Sequence, residues 1–500
     1  MSYLVIDLGT TSIKTSLVDE QGALQAFALR EYSLETPSES VVEFEAPRYW
    51  EYVKQGIREL ISRPDISPQD IRCVSISSQA ETLVVLDSGG KPLMKAIVWL
   101  DNRAHREARE LEEQVGIGRT GLTEMNATWP AAKILWLKRN RPDVFSKAAK
   151  YLMLEDYIIY RLTGEYAGEY TLYSTSALLD IEKKSWWKEM LHCLGISPDQ
   201  LTNLKESGTV VSDLHPAAAQ ELGLSQNTPV ITGAMDQVAG MVGAGNIKEE
   251  IITETTGGAF VVCRTLDEMP DTIPPGTSVQ CHALPGKYLL TSWCAAGGLC
   301  YTWLRDTFFA GMVHQGKEMT DESSLYDLMN RSAGSVDIGS RGLLFYPFLA
   351  GPGTLPLDPM AKGCFYGIDL HHTKAHFARA VMESIAFLLK ETLEYMHVAS
   401  SREGEIHSMG GGAKSELWNQ MKADAVGLPV KTLKVSETAS LGIAILSAAA
   451  LGIYPSADQG VDALVQIDKS FMPETKHFSA YEQAYRRFRD MEHRIYSRTR

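Results

Sequence analysis

Apolar and polar residues follow two periods along this chain, and their order predicts strands and helices interleaved from end to end. Residues 4–8 and 14–18 form two β-rich arms around a small turn, Gly9-Thr10-Thr11-Ser12, and Gln21-Gly22 closes the second arm. An amphipathic helix is expected over 50–62, where Tyr52, Ile57, Leu60 and Ile61 supply the apolar positions. Buried strands follow at 71–77 and 83–86, and another at 96–100 runs into Asp101-Asn102-Arg103. Residues 104–114 read as a charged, exposed helix, 128–140 and 155–162 as helices, and 179–191 as a weaker helical pattern. A short strand, 229–234, leads into Met235-Asp236-Gln237 and a small-residue helix over 238–245.

Near Asn246 the pattern restarts. Arms at 251–255 and 259–263 flank Thr255-Thr256-Gly257-Gly258, the same strand, hydroxyl/Gly turn and strand as at the N-terminus. Strands are expected again at 288–293, 343–348 and 405–409, with helices at 298–306, 374–398, 416–426, 439–451 and 480–500. Two successive units of this kind predict a duplicated α/β fold, 1–245 and 246–500, with a cleft between the halves that both turns face.

Length and composition narrow the function classes. Five hundred residues, 44% apolar and 22% charged, suit a globular protein of more than one domain. A net charge of −14 disfavours a nucleic-acid backbone or an anionic membrane as partner. It does not disfavour a small anionic nucleotide, which local loops, a lysine and a metal can hold. The seven cysteines are scattered without C-x-x-C, which reads as reduced thiols of a cytoplasmic protein and offers no zinc site. The chain opens directly on a strand, leaving no room for a signal peptide, and the longest apolar run, 441–451, is too short to span a bilayer.

The opening hairpin carries the first chemistry. Gly9 allows backbone N–H groups to approach phosphate oxygens, and Thr10, Thr11 and Ser12 add hydroxyl donors. Lys14 supplies a counter-charge, and Asp7 suits Mg²⁺ through water. The same residues also make an ordinary hairpin with a capping aspartate, and no G-x-x-x-x-G-K-[ST] loop occurs.

Five ordered motifs carry a resemblance. Gly363-Cys364-Phe365-Tyr366-Gly367-Ile368, followed after seven residues by His376-Phe377-Ala378-Arg379-Ala380-Val381-Met382-Glu383, is similar to the C-terminal signature of the FGGY carbohydrate kinases. Pro130-Ala131-Ala132-Lys133-Ile134-Leu135-Trp136-Leu137 resembles the N-terminal one. Gly410-Gly411-Gly412-Ala413, with Trp418-Asn419, resembles the adenosine-binding turn, and Ala439-Ser440-Leu441-Gly442 the helix behind it. With the opening hairpin, these identify the chain as a member of that family, within the actin-like (ribonuclease-H-like) ATPases.

The resemblance implies ATP and Mg²⁺ as cofactors and a small neutral sugar or polyol as acceptor. It implies Asp236 as the base, with Gln237 beside it on the substrate, and Asp7 and Asp236 as the metal's aspartates. Thr10, Thr11, Ser12 and Lys14 form the first phosphate loop, Thr256 and Gly257 the second, Gly298 lies on the phosphates, and Gly412 and Ala413 line the adenosine pocket. Relatives usually carry a threonine where this chain has Gly258, and Glu-Arg where it has Pro352-Gly353, so one side-chain donor and a local ion pair are missing. The acceptor is expected beside Gln79, Ala80, Glu81, Trp99, Asp101, Arg103 and Thr128. Relatives acting on xylulose typically have Met-His where this chain has Ala80-Glu81, and those acting on glycerol have Arg-Glu. Ala80 and Thr128 leave room for a polyol or ketose larger than glycerol, and Glu81 disfavours an anionic acceptor. A pentulose such as D-xylulose is the leading expectation. A polyol kinase, and a non-metabolic actin-like ATPase or binding protein, stay open. The terminal helix, with Tyr481, Tyr485, Phe488, Met491 and Ile495 on one face, suits docking on the body or on a second subunit, so a homodimer also stays open.

Overall fold

The computed structural model describes residues 1–496 except 119, 311–312, 315–316, 319–321, 356, 359 and 399–403. Two large sheets organise it. The first comprises β1 (Ser2–Leu8), β2 (Ser12–Asp19), β3 (Leu24–Glu31), β4 (Ile71–Ser78), β5 (Val210–Asp213) and β6 (Pro229–Met235), in the spatial order β5-β6-β4-β1-β2-β3. β1 pairs antiparallel with β2 and parallel with β4, and β4 pairs parallel with β6. The second comprises β7 (Ile251–Thr256), β8 (Phe260–Leu266), β9 (Ser278–Cys281), β10 (Tyr288–Cys294), β11 (Glu405–Met409), β12 (Val430–Leu433) and β13 (Ile467–Phe471), ordered β9-β10-β8-β7-β11-β12-β13.

Four strands of each sheet repeat. β7 pairs antiparallel with β8 and parallel with β11, and β11 pairs parallel with β12, as β1 does with β2 and β4, and β4 with β6. The duplication expected from the two hydroxyl/Gly turns is therefore present in strand order and polarity. In each copy the turn follows the central strand, so both turns sit at equivalent sheet ends.

Helices pack on these sheets: α1 (Ala46–Ile61), α2 (Pro130–Asn140), α3 (Leu154–Thr163), α4 (Asp236–Gly243), α5 (Lys374–Tyr395), α6 (Glu416–Val426), α7 (Thr438–Ala450) and α8 (Phe478–Tyr496). Proline stands at the start of α1 and α2, where a missing N–H is harmless. The last four residues of the helix expected to reach 500 lie outside the described residues. α4 and α7 cross backbone to backbone: a Cβ on Gly243 would meet the Thr438 carbonyl oxygen at 1.9 Å, and one on Gly442 that of Ala239 at 1.9 Å. One hydrophobic core runs through this crossing and contains Tyr3, Val5, Ala234 and Met241 together with Ile252, Val262, Ile406 and Ile443.

Some expectations shift. The 179–191 segment forms short strands at Leu179–Asp180 and Ser185–Trp186 and then a helix, Lys188–Leu194, because Asp180 and the Lys183-Lys184 turn interrupt the helical period. A further sheet of five short strands includes Val41–Phe44, Leu83–Leu86, Ala96–Ile97 and Lys150–Met153. The C-terminal signature is scaffolding: Arg379 Nε donates to Glu383 Oε1 at 2.8 Å, and Glu383 accepts from the Gly339 N–H and the Ser340 hydroxyl. Where relatives place Glu-Arg, Thr354 clasps the end of β10 by exchanging hydrogen bonds with Trp293. All seven cysteines are free thiols, and among the described residues no helix is long and apolar enough to cross a membrane.

Candidate active site

The site is built where β1, β4 and β6 end side by side. The turn after β1 is held from three directions. The Tyr32 hydroxyl and Gln79 Nε2 both donate to the Gly9 carbonyl, and Trp99 Nε1 donates to Thr10 Oγ1 at 2.9 Å. Thr11 is exposed, and Thr10, Ser12 and Lys14 are half-buried, so hydroxyls and the ammonium border the opening.

Asp7 and Glu81 both lie within electrostatic reach of Asp236. Burial pushes the Asp236 carboxyl up to about 7, with Asp7 and then Glu81 adding to the rise, while the Gln237 N–H donating to its Oδ1 at 2.6 Å pulls against it. Burial also raises Asp7, partly offset by Lys14. Asp236 is half-buried and Gln237 exposed, so the carboxylate sits in the protein yet opens on the cleft. Two carboxylates, one of which raises the other's pKa, are suited to sharing a divalent cation. Among the described residues no three His, Cys, Asp or Glu form a ligand cage. Such an ion would take most of its ligands from phosphate and water, the habit of Mg²⁺.

Asp236 owes its aim to a bulge. The β4–β6 register shifts between Ile231 and Ala234, which frees two amides of β6 from the ladder. The Gly233 N–H donates to Glu155 Oε1 at 3.0 Å, and the Met235 N–H to Thr171 Oγ1 at 2.8 Å. The Thr171 hydroxyl in turn donates to Glu169 Oε1 at 2.7 Å. All three side chains are fully buried. Nothing in their spacing marked Glu155, Glu169 or Thr171 as partners of residue 236.

The second turn is anchored from within the fold. The Thr256 hydroxyl does not face the cleft: it donates to Glu254 Oε2 at 2.8 Å and accepts from Lys422 Nζ at 3.0 Å, beneath a buried Glu254–Lys422 ion pair. A side chain at Gly412 would strike Thr256 Cβ at 2.6 Å, which fixes why the adenosine-type turn is glycine there. Gly298 lies against the Gly257 carbonyl, so the turns carrying Gly257, Gly298 and Gly412 stack main chain on main chain. Ala413 borders them half-buried, and its carbonyl accepts from Asn419 Nδ2.

Two of the residues expected at the acceptor are also engaged within the fold. Asp101 is fully buried, accepting from the Val42 N–H and from Arg103, and Arg103 also pairs with Glu43. Gln79 and Ala80 are buried, Gln79 facing the Gly9 carbonyl, while Glu81, Trp99 and Thr128 are half-buried. One residue went unnoticed in the sequence: Glu437, just before α7, forms an ion pair with Lys14 across the two halves and adds to the rise at Asp7.

Comparison with known proteins gives the family. Residues 2–243 match the N-terminal domain of the FGGY family of carbohydrate kinases, and residues 261–451 match its C-terminal domain. The chain is 32% identical over 482 residues to the xylulose kinase of Staphylococcus epidermidis, covering 96% of this chain and 94% of that one. It is 30% identical over 473 residues to the gluconokinase of Bacillus subtilis, covering 93% and 90%. The ligand-bound xylulose kinase structure from Lactobacillus acidophilus superposes with a TM-score of 0.88 at 26% identity, covering 99% and 98%. By these matches the chain, an α/β protein with a duplicated sheet, belongs to the FGGY family of carbohydrate kinases.

Proposed function

We propose that this kinase moves the γ-phosphoryl group of ATP to a hydroxyl of a neutral ketose, with D-xylulose as the best fit. One observation carries the reading: Asp236, at the end of β6, lies within electrostatic reach of both Asp7, beside the first phosphate-type turn, and Glu81, on the acceptor side. The acceptor oxygen attacks the γ-phosphorus, its proton passes to Asp236, and ADP leaves. Asp236 also fixes that oxygen in line. Mg²⁺, held through water by Asp7 and Asp236, would neutralise charge on the transferring group. Residues 1–245 would bind the sugar and the first phosphate turn, and residues 246–500 the second turn and, at Gly412 and Ala413, the adenosine.

Glu81 and Asp236 together repel an anionic acceptor, which favours a ketose over gluconate despite the similar gluconokinase identity. The free thiols support a reducing, cytoplasmic setting. The test is a panel of ketoses, polyols and gluconate in a coupled ADP assay, on the wild type and Asp236→Asn. D-Xylulose should stimulate ADP release, and Asp236→Asn should lower kcat by roughly 10²–10⁴-fold. Preference for gluconate would overturn the acceptor reading. ADP release that no sugar stimulates would favour a regulatory ATPase.

A further inference from the structure

The N-terminal signature contains a lysine that none of the chemistry above uses. Lys133, in the first turns of α2, is fully buried. Its Nζ donates to the backbone carbonyl of Glu81 at 2.9 Å and to that of Val98 at 2.9 Å, and among the described residues it forms no direct ion pair with a carboxylate. Those two carbonyls belong to separate segments that run on into the acceptor wall, one carrying Ala80 and Glu81, the other Trp99.

The Glu81 segment needs holding. Glu81 adopts φ 63°, a left-handed conformation that a non-glycine residue keeps only when its surroundings impose it. The Ala80 carbonyl accepts from the Thr82 N–H at 2.8 Å, so the chain turns sharply there. The Thr82 hydroxyl then accepts from the Trp99 N–H at 3.2 Å, linking the same two segments from the other side. α2 reaches the wall a second time, through Trp136 against the Arg103 guanidinium, 4.9 Å from ring centroid to carbon.

We infer that Lys133 is a positioning residue for the sugar: its ammonium ties the strained Glu81 turn to the Trp99 segment and so sets the width and polarity of the acceptor wall. A buried ammonium is unfavourable unless it is well solvated by protein, and here the two carbonyls perform that solvation. Glu81 and Asp101 favour the charge and Arg103 opposes it, while burial lowers the ammonium to about 7. The inference rests on the acceptor lying against Glu81, as proposed above.

The experiment compares Lys133→Met with Glu81→Gln, measuring KM for D-xylulose and for ATP separately, with a thermal melt to establish folding. Lys133→Met is expected to raise the D-xylulose KM tenfold or more and to leave the ATP KM within twofold. Glu81→Gln is expected to raise the D-xylulose KM as well. If Glu81→Gln does so and Lys133→Met does not, the positioning role is wrong and the acceptor placement stands. If Glu81→Gln leaves the D-xylulose KM unchanged, the acceptor placement itself fails and takes this inference with it. Equal rises in both KM values for Lys133→Met would mean a merely loosened fold and would overturn the role. Should Lys133→Met give no cooperative melt, Lys133→Gln, which retains N–H donors on a shorter stem, is read by the same criteria.

Discussion

Gly258 illustrates how a single position bounds turnover. An added Cβ there would meet no atom within 4 Å, and the residue has none of the left-handed backbone that reserves a site for glycine. The neighbouring Thr256 hydroxyl cannot stand in for the missing donor, being committed to Glu254 and Lys422. Gly258→Thr is therefore expected to fold normally and to raise kcat by roughly up to tenfold, a conservative share of what one donor to developing charge is worth. Steady-state ADP release checks it, and an unchanged or lower kcat would mean the second turn acts through its backbone alone. Single residues were also where the sequence spoke most clearly. A carboxylate ending a strand beside a hydroxyl-rich turn singled out Asp7 as a candidate, whereas Asp236 was marked by the family resemblance. The partners of Asp101 and Arg103, the Val42 N–H and Glu43, lie 59 and 60 positions away and leave no local trace.

Among elements, β6 departs most from its sequence pattern. Its alternation predicts a plain strand, and the bulge that turns residue 236 into the cleft depends on side chains from α3 and from the segment Glu169–Thr171. Periodicity reports which face is buried. It cannot report which buried hydroxyl receives an orphan amide. Thr171→Val keeps the shape and removes the acceptor of the Met235 N–H, so it should lower stability by about 1–3 kcal/mol. It should also lower kcat more than it changes either KM, because Asp236 loses its aim. Thr171→Ser keeps the hydroxyl and should restore most of kcat. Thermal melts and the two KM values measured together separate these effects from simple loosening. The duplication was legible for the opposite reason: each copy repeats its own turn chemistry locally, while the order of strands in each sheet came only from the structure.

For the molecule as a whole, buried carboxyls set the pH response. Burial pushes Asp156 up to about 8 from an unfolded value of 3.8, and burial raises Glu155 and Glu169 too. Between about pH 4 and 8 the folded chain holds a proton on Asp156 that the unfolded chain has released. Stability is thus greatest at the acid end of that window and falls as pH rises, by at most about 1.4 kcal/mol per pH unit for this group. Melting temperature should drop from pH 5 towards pH 8, and Asp156→Asn, a neutral stand-in, should flatten the slope. Gly442→Ala should destabilise by about 1–3 kcal/mol by wedging α4 from α7, and calorimetry would register the loss as one transition because both halves share one core. That crossing has a mechanical corollary. Two helices whose main chains already touch cannot slide past each other, so any relative motion of the halves must pivot there, like jaws about a rivet. The lips of the crevice then travel farther than its floor.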